Sequence, residues 1–462
     1  MKHIFSSTRE DDEQQRHERF VMMTESPVRQ LVLKMSGPTI VSMLVVAFYN
    51  IIDAFFVGHI STEATAGVGV SFAYMTFINA FGFFFGHGSG NYISNALGAK
   101  QYNDAEKMAA TGFISSMSLG ILAAGIGLFF LSPLSRMMGA TPDVLPYAND
   151  YLVFILIGTP FMMSSLTLNN QLRLQGNARY AMVGIATGSI LNIFLDALFI
   201  YVFDMGVTGA SLATCISQMV GWFILLLGTE RSGNVHIRIK NFNPSWQSYK
   251  DIFKGGNPSL CRHVFVCVST IMLNRYAAYY ATPGTEASAI AAFTVVSRIM
   301  MFAFSIILGI GQGFQPVCGF NYGAGLHERV RKSFVFTVEL STAILIVISI
   351  TFAIFAPDII RIFRNEDPEL VEIGKRVLRW QCISFPFIGL STVTNMMYQT
   401  MRKTLVASVL SMGRQGIFFI PTIMILPLFI GLQGVEMTQA IADALTFLLA
   451  LPFAIREWSV KS

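Results

Sequence analysis

Two short stretches put a carboxylate where a carboxylate is costly. From Met182 to Phe203 the chain is apolar apart from a few small polar residues, and Asp196 is its one charged side chain. An Asp at the centre of a membrane helix costs roughly 2.5–3.5 kcal/mol on insertion scales, so its presence needs a reason. Asn192 lies four residues earlier and faces the same way on a helix. Tyr49-Asn-Ile-Ile-Asp53 repeats the spacing. A carboxylate taken out of water is easier to protonate, and a second one beside it strengthens the effect. Such a pair can hold a proton at neutral pH and release it when wetted. Asn and Tyr can instead supply oxygen to a bound sodium ion. Either exchange changes the charge of the site, and a bistable helix bundle can respond. The competing reading is that each Asp makes a buried hydrogen bond for helix packing.

The elements that position these residues are membrane helices. The 462 residues are 53% hydrophobic and 13% charged, with 40 Phe and 24 Met. A soluble domain carries about 25% charged residues. The stretches 64–99, 108–135 and 205–229 contain no Asp, Glu, Lys or Arg. Each exceeds the ~20 residues that span a bilayer. Spans must be helical, because an open strand edge cannot be satisfied in lipid. The pattern predicts an all-α polytopic membrane protein with twelve spans. They fall near 34–58, 67–95, 106–131, 146–169, 178–202 and 207–228, then 256–282, 288–320, 329–356, 373–400, 404–428 and 432–456. Residues 1–33 read as a polar tail, mobile or on the membrane surface. Residues 34–228 form the first six-helix bundle, 229–255 a linker, and 256–462 the second. In the linker, Trp246, Tyr249 and Phe253 at helical spacing beside Lys250 and Lys254 fit a short interfacial helix as well as they fit a plain connection.

The first 30 residues lack a signal-peptide core, so the first span is expected to direct insertion itself. Lys and Arg concentrate on one side of this layout. Only Arg136, Arg361, Arg364, Lys375, Arg376 and Arg379 fall on the other. By the positive-inside rule both termini are expected in the cytoplasm. The net charge of +5 is dispersed over loops and does not indicate nucleic acid. Cys215, Cys261, Cys267, Cys318 and Cys382 form no Cys-x-x-Cys pair, so neither a disulfide framework nor a metal site is expected. They read as small apolar packing residues.

The halves repeat each other at an offset of about 225 residues. Gly98-Ala99 matches Gly323-Ala324, Lys107 matches Lys332, Pro160-Phe161 matches Pro386-Phe387, and Gly206 and Gly209 match Gly431 and Gly434. An even number of spans per repeat relates the bundles by an axis along the membrane normal, as in transporters built around a central cavity.

Several motifs then fall in order along the repeat: Asp53-Ala-Phe-Phe-Val-Gly58, Asn95-Ala-Leu-Gly-Ala-Lys100, Gln171-Leu-Arg-Leu-Gln-Gly176, Asn192 to Asp196, and Gly311-Gln-Gly-Phe-Gln-Pro-Val-Cys-Gly-Phe-Asn-Tyr-Gly-Ala324. Together they resemble the multidrug and toxic compound extrusion (MATE) transporters over nearly the whole chain after the tail. The resemblance implies two six-helix lobes in a V and an antiporter that expels amphipathic, often cationic, compounds while taking in protons or sodium. In many prokaryotic relatives a cation site lies in the first lobe. Its positions here read Tyr49, Asp53, Asn192, Asp196 and Thr214. Other relatives place coupling acids on helices 7 and 10. Here the counterpart of Asp53 is Leu273 or Asn274, that of Asp196 is Pro421 or Thr422, and span 10 has no acid from Trp380 to Met401. Coupling is therefore expected in the first lobe. Thr214 has a competing role, since Thr in membrane helices often bonds its own backbone.

Other intramembrane charges are Arg275, Arg298, Glu339, Arg414 and Asp443, for which structural pairing is expected, Arg298 with Glu339 and Arg414 with Asp443. Asn169, Asn170 and Asn274 are candidates for the substrate cavity, against a packing role as helix–helix hydrogen bonds. His87 reads as a packed or bonded histidine. Abundant Met and Phe suit a pocket that repacks around different ligands. The reading is a secondary efflux transporter of the plasma or inner membrane, expected as a monomer. It needs no cofactor beyond H+ or Na+. Two alternatives are a lipid-linked precursor flippase, which needs a cationic central cavity, and an integral membrane enzyme. The seven histidines show no catalytic spacing that would favour the enzyme.

Overall fold

The computed structural model describes residues 9–58, 60–231, 235–363 and 367–459. Arg364 and residues 1–8 of the tail lie outside them. The described chain is helical throughout: α1 (Arg9–Glu25), α2 (Val28–Gly58), α3 (Thr62–Gly98), α4 (Tyr102–Phe129), α5 (Leu131–Met137), α6 (Leu145–Leu174), α7 (Ala178–Ala197) and α8 (Gly206–Arg231), then α9 (Trp246–Tyr280), α10 (Glu286–Gly323), α11 (His327–Ile354), α12 (Ala356–Phe363), α13 (Pro368–Thr400), α14 (Thr404–Met412), α15 (Phe419–Ile430) and α16 (Leu432–Ser459). The twelve expected spans are all present, with α14 and α15 together making the eleventh. Ten pass as spans by length and apolarity. The remaining two, α9 and α13, are equally long but carry charged residues along their length.

Two bundles result. In the first, α6 packs on α3, α4 and α8, and α7 lies between α2 and α8. In the second, α13 packs on α10, α11 and α16. Their large side chains face outward in quantity, Phe129, Met137, Tyr279, Ile362 and Phe429 among them, as a lipid environment requires. Starts are capped where the chain re-enters: the Ser61 hydroxyl accepts from Ala64 N–H at 3.0 Å, and the Asp367 carboxylate accepts from Glu369 and Leu370 N–H at 3.1 Å. The eleventh span is broken by a π-turn at Gly413–Ile417, just before Pro421. A proline there donates no N–H and its ring crowds the carbonyl four residues back, so the regular ladder cannot continue.

Duplication shows in bonds as well as in spacing. Asn169 Nδ2 donates to Ala181 O at 2.9 Å, and Asn395 Nδ2 donates to Ala407 O at 2.7 Å in the equivalent hairpin of the second bundle. Gly98 packs against the Phe320 carbonyl, and Gly323 against the Asn95 carbonyl, reciprocally across the pseudo-twofold.

The face carrying α1 and the end of α16, called the terminal face below, is where the bundles meet. Thr39 Oγ1 donates to Gly309 O at 2.6 Å, Arg173 Nη1 to Gln312 O at 2.6 Å and to Gln315 Oε1 at 2.9 Å, and Asn95 Nδ2 to Thr400 O at 3.1 Å. Among the described residues, the hydrogen bonds joining the bundles all lie in the half of the molecule nearest that face. Hydrogen bonds thus hold the bundles together on that side of the molecule.

Two expectations are corrected. The interfacial helix at Trp246 to Lys254 is the first turns of α9, not a separate element; Asp251 there pairs with Arg402 and Lys254, which holds the polar start of the helix in place. The tail is also not loose from Arg9 onward. Its helix is anchored by Met23, which is fully buried, and by Arg16, which pairs with Glu106 at 2.7 Å.

Candidate functional site

The two acid-bearing stretches come together. α2 brings Tyr49 and Asp53, and α7 brings Asn192 and Asp196, on faces that pack against each other in the first bundle. Asp196 is fully buried and Asp53 half-buried. Their carboxyl groups lie within hydrogen-bonding reach of each other. One oxygen of each, Oδ1, is buried with no protein donor. Asn192 orders the pair: with its amide oriented to satisfy both ends, Nδ2 donates to Asp196 Oδ2 at 2.9 Å, and the amide oxygen accepts from Thr214 N–H at 3.2 Å and lies 3.3 Å from Thr214 Oγ1. Thr214 Oγ1 also reaches Ala210 O at 3.1 Å, and its single proton can serve only one of these. A π-turn at Leu198–Val202 follows Asp196 directly, an irregularity that recurs at functional positions.

The structure adds a residue that sequence reasoning missed. Tyr151, on α6 and 4% exposed, lies close enough to Asp53, Tyr49 and Asp196 to feel their charge. No spacing rule connects it to them, because it arrives from a third helix. Tyr49 opens onto a cavity of about 160 Å³ inside the first bundle, lined also by Asn50, Asn79, Ser165, Ser189 and Gln218. Polar residues thus run from the carboxyl pair into the bundle.

The candidate cavity residues fare differently. Asn169 is spent on the hairpin bond that its repeat partner Asn395 duplicates, so the duplicated fold accounts for it. Asn170 accepts from Arg173 Nη2 at 2.6 Å and donates to Leu166 O at 2.8 Å, within the seal between the bundles. Asn274 is half-buried and makes no hydrogen bond among the described residues. His87 is bonded: Nδ1 pairs with Ser259 Oγ at 2.9 Å across the bundles, and the ring stacks on Phe83.

Of the charges expected to pair, Arg414 and Asp443 do, at 2.7 Å, with Ser384 and Gln439 also donating to the carboxylate. Arg298 and Glu339 do not pair. Arg298 is roughly 25 residues from the terminal-face end of α10 and Glu339 roughly 12 from that end of α11, a depth difference of about 20 Å at the helical rise. Both are exposed, as is Arg275, and none of the three makes an ion pair among the described residues. Arg298 lies one turn from Phe302, which meets Phe48 of the first bundle at 5.0 Å, so it lies near where the bundles touch. A second buried pair was missed: Glu436, 1% exposed, takes Arg376 at 2.7 Å. Asp443→Asn leaves the Arg414 charge without its partner, and removing one member of a buried pair costs about 3–5 kcal/mol. Thermal unfolding in detergent is expected to show that loss, with recovery in Arg414→Met/Asp443→Leu. Equal stability of Asp443→Asn and the native chain would refute the structural role.

The family model MatE matches residues 38–198 and 258–425, one match in each bundle. The multidrug export protein MepA of Staphylococcus haemolyticus (strain JCSC1435) is 26% identical over 437 residues, covering 94% of this chain and 95% of that protein. A crystal structure of MATE in complex with MaL6 superposes with a TM-score of 0.89 at 25% identity, covering 95% of this chain and 98% of that one. An outward-facing multidrug resistance MATE transporter superposes at 0.88 with the same identity and coverage. The chain belongs to the MATE family of multidrug efflux transporters, membrane carriers rather than enzymes.

Proposed function

We propose that the chain is a secondary antiporter that exports amphipathic, mainly cationic compounds in exchange for protons or sodium by alternating access. The observation that carries this reading is the Asp53–Asp196 carboxyl pair, buried in one bundle and absent from the other. Two carboxyl groups in contact hold a shared proton or a cation between them, and lose it only when the site is wetted. At the equivalent place in the second bundle stand Pro421 and Thr422, neither an acid, and the Thr422 hydroxyl donates to the Phe418 carbonyl at 2.7 Å. With both termini in the cytoplasm of an inner or plasma membrane, bundles joined at the terminal face correspond to a carrier closed on the cytoplasmic side. Loading the pair from outside, with release of the drug, then favours reopening toward the cytoplasm. The protein works as a monomer in this scheme, each bundle being complete within one chain. A flippase would need free central arginines; Arg414 is neutralised by Asp443, while Arg275 and Arg298 make no ion pair among the described residues.

Everted or reconstituted vesicles loaded with an amphipathic cationic dye test this directly. Dye movement is expected under an imposed proton or sodium gradient, and whichever gradient drives it names the ion. Dye movement independent of both gradients would overturn the antiport reading.

A further inference from the structure

At the terminal face, α1, the start of α2 and the turn between α6 and α7 enclose a cavity of about 370 Å³. Its walls supply Arg19, Lys34, Asn177 and Arg179 against one acid, Glu18. The donors are unspent. Arg19 Nη1 is buried without a hydrogen-bond partner. Asn177 is 6% exposed and its Nδ2 is in the same condition. Lys34 Nζ reaches only the sulfur of Met22, at 3.3 Å. Arg179 is exposed and makes no ion pair among the described residues. Glu18 is engaged by the Gln14 amide at 3.0 Å. Burial pushes the Arg19 guanidinium down to about 10, as befits a cation short of a counter-charge.

The cavity also sits on the N-terminus of a 20-residue helix. Asn177 is the cap of α7 but makes no side-chain capping bond. The first N–H groups of that helix, on the cavity-lining Ala178, Arg179 and Tyr180, have no intrahelical acceptor and carry the positive end of its dipole. Helix-end N–H groups, an unpartnered buried amide and three cations around one space describe an anion site.

We propose that this cavity binds a phosphate-bearing anion, presented by an anionic lipid headgroup or as soluble phosphate. Lys34 and Arg179 stand in the first turns of apolar helices, beside the exposed Leu33 and Tyr180. That is headgroup depth, and Met22 and Met35 offer the lipid's glycerol an apolar wall. The bound anion ties α1 to the starts of α2 and α7, the two helices that carry Asp53 and Asp196. The same short segment grips the second bundle: Asn321 Nδ2 donates to Met23 O at 3.0 Å and Arg329 Nη2 to Ser26 O at 2.6 Å. Filling the site therefore strengthens the closed terminal face.

The test uses the full chain in neutral detergent, with phosphatidylglycerol, phosphatidylcholine and inorganic phosphate as probes. Bound molecules are counted by native mass spectrometry and thermal unfolding is followed in parallel. Phosphatidylglycerol is expected to bind and raise the unfolding temperature, with phosphatidylcholine much weaker. Arg19→Gln/Lys34→Gln should weaken that binding about tenfold, the scale of one or two lost charge-assisted hydrogen bonds. Arg179→Gln removes only a surface side chain, so it serves even if the double variant folds poorly. Arg331→Gln, on an exposed residue elsewhere on the same face, should leave binding unchanged. Inorganic phosphate that binds and competes in the native chain identifies a soluble ligand; binding confined to the lipid identifies the headgroup. Equal affinity of the native chain and every cavity variant for both phosphate probes overturns the proposal.

Discussion

Asp196→Asn and Asp53→Asn are each expected to reduce gradient-driven dye efflux to the level of vesicles without the transporter, while the protein remains in the membrane. Asn keeps the size and most of the hydrogen-bonding capacity of Asp but cannot take up and release a proton. The packing around Asn192 and Thr214 is therefore retained and the exchangeable charge is lost. A packing role predicts the opposite outcome, with transport kept and stability changed by about a kilocalorie per bond. Tyr151→Phe separates the two ideas further. It removes one polar hydroxyl near the pair and leaves both carboxyls, so a partial loss of roughly two- to tenfold is expected, about a kilocalorie of altered electrostatics. The counterpart change Thr422→Val, in the bundle without acids, should leave coupling intact. Full drug resistance in both Asp variants would remove the carboxyl pair from the mechanism.

Much of the fold was legible because lipid imposes a simple rule. Charge-poor runs longer than a bilayer must be helices, and loop residues in register reveal the duplication. The acid pair was legible for the same reason: Asp196 stands out only because its surroundings are so apolar. What could not be read had three physical causes. Tyr151 is brought near the site by the packing of a third helix, which no periodicity within one helix encodes. The start of α9 looked like a linker because Lys250, Asp251 and Lys254 are polar, yet Arg402, about 150 residues away, neutralises Asp251. Arg298 and Glu339 are opposite charges in neighbouring spans, but the depth of a residue in its helix decides whether it can meet another. Asn169 shows the converse. A polar residue within a span invites a functional role, and only the identical bond made by Asn395 reveals that the duplicated fold needs it.

Gly98→Val and Gly323→Val should each open the terminal face. A side chain at Gly98 meets the Phe320 carbonyl, and one at Gly323 meets the Asn95 carbonyl. These are backbone atoms of long helices, which cannot rotate away as a side chain would, so the two bundles must separate. Overpacking of this kind costs about 1–3 kcal/mol, and here nearly all of that cost falls on one conformation, because the contact exists only while the face is closed. A penalty of that size shifts a two-state equilibrium by roughly 5- to 150-fold. Spin labels at the exposed Asn103 and His327, one on each bundle, should report a longer distance in the variants and a single short one in the native chain. Gly37→Ala is the control, since nothing lies within 4 Å of a Cβ placed there. Each bundle keeps its own core in these variants, so transport should fall because the carrier no longer closes on that side, with Asp53 and Asp196 still in contact. An unchanged label distance in both valine variants would mean that this reciprocal glycine contact does not control which face of the transporter is closed.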